Sequence, residues 1–194
     1  MNKLEPQDLL SAADYEKNRS DIRQRIIALK KRRRIGVGNF VTLVFENRET
    51  VLWQIQEMIR AERIFEPLKI QEELDVYNAL LPNPGELHAT LFIEITDMDK
   101  IQELLDSFQG IDGPNTLALK VGDQSIFGSF EGGHSKEDKI SAVHFVRFST
   151  TPQFRTHLAQ FDIPAFVAIS HSNYGVETPV PLEMRREWLN DLQS

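Results

Sequence analysis

Three groups of side chains in this 194-residue chain have types and spacings that could carry chemistry. The first is the polar corner Glu46-Asn47-Arg48, together with His171, Asn173 and Tyr174 at the end of a later apolar run. A carboxylate, a guanidinium, two amides, a phenol and an imidazole that titrates near neutrality would make one polar pocket, provided both corners lie at the same edge of a sheet. The competing reading is a turn at Asn173 with Tyr174 packed beneath it. The second group is Glu57, Glu62 and Glu73 with His88 and His144, or with His171. Nitrogen and carboxylate donors of this kind suit iron, manganese or zinc. The competing reading is helix-end ion pairs, among them Glu62 or Glu66 with Arg60 or Arg63. The third is the basic run Lys30-Lys31-Arg32-Arg33-Arg34, which would dock an anionic partner. Its alternative is plain complementation of a helix C-terminus.

Other chemistries are excluded or weakened. The chain has no cysteine, which removes disulfides, thiolate metal sites, iron–sulfur ligation and cysteine nucleophiles. No Gly-x-Ser-x-Gly occurs, and Ser170 and Ser172 beside His171 are neighbours in sequence only. The single Glu-x-x-His match, Glu131 to His134, spans two glycines that disfavour a helix. Gly36-Val37-Gly38 lacks the third glycine and the Lys-Ser/Thr ending of nucleotide loops. A net charge of −7, and a basic run without interleaved aromatics, argue against nucleic acid.

The elements that must position these groups follow from periodicity. Residues 14–34 form a long helix, with Tyr15, Ile22, Ile26 and Leu29 on one stripe and Gly36 as its stop. Val41, Leu43 and Phe45 alternate as in a buried strand, and Asn47 then caps a helix carrying Val51, Leu52, Ile55, Met58 and Ile59. Glu62 falls on that apolar stripe and is expected to be buried. A second helix has Ile70, Leu74, Tyr77 and Leu81. Strands follow at 87–95, 116–121, 125–130, 142–148 and 166–170, the second and third as a hairpin across Gly122-Asp123-Gln124. Shorter helices fall at 98–108 and 152–161, a polar loop at 132–139, and a terminal helix at 181–192. Helices early and strands late make the expected class α+β: a largely antiparallel sheet packed against a long N-terminal helix, a central helical pair and a C-terminal helix. The expected organisation is one domain, with residues 1–34 as a helical arm on a core of 35–194. Hydrophobic content of 41% and charged content of 26% suit a globular core. No apolar run reaches membrane-spanning length, and the N-terminal stretch lacks a signal core, so the expected location is the cytoplasm.

Tyr15-Glu16 with Arg19, Phe45-Glu46-Asn47-Arg48-Glu49-Thr50, Gln54-Ile55-Gln56-Glu57-Met58, Arg60-Ala61-Glu62-Arg63-Ile64, Val146-Arg147-Phe148 and His171 with Asn173-Tyr174 resemble an uncharacterised bacterial family, the domain of unknown function 3501. The resemblance runs over nearly the whole chain and is densest from 15 to 95. In the family's pattern a proline stands between the histidine and Asn-Tyr, where Ser172 stands here. The resemblance carries no activity. It implies gene neighbours that include a rubrerythrin-like di-iron protein and a cysteine-rich iron–sulfur oxidoreductase.

The expectation is therefore an accessory or regulatory protein of redox metalloproteins, with no cofactor of its own. The alternative is a small cysteine-free metalloenzyme with a Glu/His site for iron, manganese or zinc. Oligomeric state is not legible.

Overall fold

The computed structural model describes residues 2–132 and 140–193. His134, and with it the Glu-x-x-His match and most of the expected loop at 132–139, lies outside the described residues.

The N-terminal helix α1 (Ala12–Arg32) begins where the Ser11 hydroxyl accepts from the Asp14 N–H. It stops earlier than its periodicity suggests. Arg33 caps it, and Arg34–Val37 becomes the edge strand β1, with Ile35 and Val37 pointing inward and Gly36 outward. Strand β2 (Val41–Glu46) pairs antiparallel with β1 and is buried at all six positions. Both of its faces are therefore covered. Val41, Leu43 and Phe45 enter the main core, while Thr42, Val44 and Glu46 face the helices.

Helix α2 (Arg48–Glu62) is capped as expected. Asn47 accepts from the Thr50 N–H and the Thr50 hydroxyl accepts from the Asn47 N–H, a reciprocal box. It ends at Arg63, in the left-handed conformation. Helix α3 (Pro67–Asn78) starts on a proline, whose missing N–H costs nothing there. A small core of Leu4, Val51, Ile55, Leu74 and Leu81 joins the two helices to the N-terminal segment. Asn78 staples that segment by bonding both the N–H and the C=O of Leu4.

The remaining elements are β3 (Glu86–Ile93), α4 (Ile101–Asp106), β4 (Leu117–Val121), β5 (Gln124–Phe127), β6 (Ser129–Phe130), β7 (Val143–Ser149), α5 (Pro152–Leu158), β8 (Ala165–His171), β9 (Tyr174–Pro179) and α6 (Leu182–Gln193). The α+β class with antiparallel strands is what the structure has. Among the described residues the strands form two sheets, ordered β1-β2-β3-β7-β6 and β5-β4-β8-β9. The expected hairpin exists as β4–β5, but its second arm breaks at Gly128 and continues as β6 in the other sheet. A side chain at Gly128 would run into Val146 and Phe148, so the crossing needs a residue without a Cβ.

The inner faces of the two sheets meet in the main core, closed at one end by Phe154 and Leu158 of α5 and by Met184 and Trp188 of α6. Trp188 sits 4.7 Å from the Phe45 ring. Helices α1 and α2 lie over the outer face of the larger sheet. Among the described residues no helix is long and apolar enough to cross a membrane.

Candidate functional site: a polar cleft where three helices meet

The corner after β2 sends its three polar side chains in different directions. Glu46, the last residue of the strand, is 5% exposed and turns to the outer face. There its carboxylate accepts from Thr50 Oγ1 at 2.5 Å, Gln54 Nε2 at 3.2 Å and Thr90 Oγ1 at 3.3 Å. Asn47 is spent on capping α2. Arg48 opens the helix and reaches back to the N-terminal segment, donating to Asp8 at 2.6 Å and to the Asn2 carbonyl at 3.2 Å. That hydrogen bond holds the Asp8 carboxyl below the usual range.

Beside Asn47 lies a buried ion cluster. Arg33, fully buried, donates Nε to the Phe45 carbonyl at 2.8 Å and Nη2 to the Glu46 carbonyl at 3.3 Å. Its remaining donors go to Asp191 and to Glu187, the latter at 3.0 Å. Arg32 takes the other oxygen of Glu187 at 2.8 Å. Burial pushes the Asp191 carboxyl up to about 6, although Arg33 and Asn47 pull it down. Above this cluster opens a cleft of about 800 Å³, lined by Arg32, Asn47, Arg48, Glu187, Asn190 and Asp191. The end of α1, the N-terminus of α2 and the last turns of α6 form its walls.

His171, Asn173 and Tyr174 do not reach this cleft. The His171 imidazole bonds the Gln109 carbonyl through Nε2 at 3.0 Å, and Asn173 Nδ2 donates to the Ser107 carbonyl at 3.0 Å. The Tyr174 hydroxyl donates to the Val37 carbonyl at 2.6 Å and accepts the Phe40 N–H at 3.0 Å. Phe40 precedes β2 and Asn47 follows it. At about 3.3 Å per residue, the strand holds the two clusters roughly 20 Å apart. The expected shared pocket is therefore not formed. The β8–β9 hairpin instead clasps the β1–β2 turn and the segment after α4.

The expected metal ligands are dispersed as well. Glu57 makes a two-pronged contact with Arg19, both bonds at 2.8 Å, and accepts from Tyr15 at 2.6 Å. Glu62 is exposed, contrary to the burial its stripe position suggests, because α2 ends at this residue and the left-handed Arg63 turns the chain so that Ile64, not Glu62, is buried. Glu73 lies half-buried on α3 near Tyr77. His88 projects from the outer face of β3, with Nδ1 3.0 Å from the Leu80 carbonyl, and burial holds its pKa below the usual value. His144 is on the inner face of β7, 2.8 Å from the Ser141 carbonyl. Among the described residues no three metal-ligating side chains come together. The helix-end pairs also differ from expectation: Arg60 binds Glu16, and Glu66 pairs with Lys69.

The basic run is not one patch. The helix ends within it, and strand geometry then turns Arg33 inward and Arg34 outward to Glu94 at 2.7 Å. Lys30 lies 5.2 Å over the Trp53 ring. Sequence reasoning missed the acidic partners Glu187 and Asp191. Their signal is an i,i+4 carboxylate pair flanking a buried Trp188, complementary to a surplus of cations. It also missed Arg185, whose buried guanidinium donates to the carbonyls of His157, Leu158, Gln160 and Ile163 and so caps α5.

Fold and site together define a two-sheet antiparallel α+β protein with a helix-walled polar cleft. The chain belongs to the family described as Protein of unknown function (DUF3501), whose model matches residues 3–192. It is similar to a novel protein of unknown function from Burkholderia pseudomallei K96243 with a known crystal structure. The two share 31% identity over 98% of this chain and 100% of that one, with a TM-score of 0.89. No curated protein matches this chain.

Proposed function

We propose that the chain is an accessory or regulatory protein of redox metalloproteins that acts by binding a partner at the α1–α2–α6 cleft. One observation carries this reading. The side chains able to do chemistry are committed to internal partners, Arg33 to Asp191, Glu57 to Arg19 and Tyr15, and His88 to a carbonyl. The open cleft presents charges of both signs along one surface, themselves held in place by the pairs Arg32–Glu187 and Arg48–Asp8, as a preorganised recognition surface does. The family resemblance suggests the partner class: a rubrerythrin-like di-iron protein or an iron–sulfur oxidoreductase.

Calorimetric titration of the purified chain with each of those two proteins tests the reading. The expected result is a complex with a Kd of about 1 μM, weakened about tenfold or more by Arg48→Glu. Saturable binding to neither protein, together with near-stoichiometric iron, manganese or zinc in untagged protein, would overturn it in favour of a Glu/His metalloenzyme.

A further inference from the structure

A second concavity, unconnected with the proposed docking cleft, lies between α1, α2 and the outer face of the larger sheet. It encloses about 510 Å³, within the range of small-molecule sites. Its floor is apolar, made by Val44, Phe92 and Phe145, with Ile26 and Trp53 on the walls. Three cations, Lys30, Lys31 and Arg34, stand at its rim. Glu94 neutralises Arg34, whereas no carboxylate among the described residues pairs with Lys30 or Lys31. In a chain of net charge −7 this mouth is locally positive.

Two buried groups define the polarity of the space further. Among the described residues the Trp53 indole N–H, shut off from water, has no hydrogen-bond partner, a state that native proteins seldom leave unexplained. Glu46 also lines the space, and its carboxylate hydrogen-bonds, among the described residues, to the neutral donors Thr50, Gln54 and Thr90. It repels a second carboxylate, so an anionic group belongs at the lysine rim and an uncharged body over the floor.

We infer that this groove binds a small amphipathic organic anion, a carboxylate with an aliphatic or aromatic body. The carboxylate meets Lys30 and Lys31, and the body covers Val44, Phe92 and Phe145 beside the Trp53 ring.

Decanoate below its micelle concentration is the probe, with decanol and decylammonium as controls of matched length. The readout is the indole N–H resonance of Trp53 in ¹⁵N-labelled protein, assigned from Trp53→Phe. The expected result is a saturable shift with decanoate, about tenfold or more weaker with either control and with the Lys30→Glu/Lys31→Glu double variant. Lys31 is exposed and Lys30 half-buried over the Trp53 ring, so the shift is read from each protein's own ligand-free indole position, and the rest of the spectrum reports whether the variant is folded. Equal response to all three probes, undiminished binding by the double variant, or no saturable shift of Trp53 would each overturn the inference.

Discussion

Arg33 and Asp191 bind one another in the interior across 158 positions of sequence, joining the cap of the first helix to the last turns of the final one. The same guanidinium also holds the carbonyls of Phe45 and Glu46, so one side chain ties together α1, β2 and α6. Glu187 and Asp191, which line the cleft, are both held by this junction.

Arg33→Ala takes from Asp191 and two carbonyls a fully buried charged donor. The expected cost is about 3–5 kcal/mol in urea denaturation. Arg33→Met combined with Asp191→Leu should cost clearly less than the single change, because no charge is then stranded. Equal costs would mean that the pair is solvated in solution.

Asp191 also makes a pH prediction. Its carboxyl is raised to about 6 by burial, so between about pH 4 and 6 the folded chain holds more protons than the unfolded one. The Asp191 contribution to stability is therefore greatest at low pH and falls as pH rises through that window. The size of the fall is on the order of 2–3 kcal/mol. Asp191→Asn should abolish it, read as the pH dependence of the difference in unfolding free energy between variant and wild type. A flat difference would contradict the assignment.

Two carboxylates of α2 have different roles, Glu57 half-buried against Arg19 and Tyr15 and Glu62 exposed at the last turn. Glu57→Ala strips acceptors from Tyr15 and Arg19 and should cost about 1–3 kcal/mol. Glu62→Ala, on an exposed last turn, should stay within about 0.5 kcal/mol. Thermal melts of the two variants side by side decide this, and a larger loss for Glu62 would contradict the structure.

Tyr174→Phe removes the hydroxyl that bridges the Val37 carbonyl and the Phe40 N–H. About 1–3 kcal/mol should be lost, with faster amide exchange at Phe40. Gly38, at φ +68°, packs against that same hydroxyl, so Gly38→Ala should destabilise through the same contact. Unchanged exchange at Phe40 would remove the staple from the account.

What was legible in the sequence was local. The Asn47 cap, the apolar stripe of α2, the alternation of β2 and the turn at Gly122-Asp123 each lie within a few residues and obey one periodicity. What stayed hidden depended on distant partners. Ile35-Gly36-Val37 reads as a helix stop because Gly36 dominates it, yet the available edge of β2 makes it a strand. Strand β9, with its weak alternation, is recruited by β8. His171 and Arg48 looked alike as polar corners at strand ends, but β2 and β8 belong to different sheets, and no periodicity records which sheet a strand joins. Likewise nothing near Arg33 in sequence announces Asp191.

The proposed partners bind at the cleft and not at the hairpin end of the molecule. Hydrogen exchange of the chain, with and without a rubrerythrin-like protein or an iron–sulfur oxidoreductase in excess, tests it most directly. Binding at the cleft gives new protection at residues 46–50 and 187–191, with residues 171–174 unchanged. Protection confined to 171–174, or none anywhere with either partner, would contradict it.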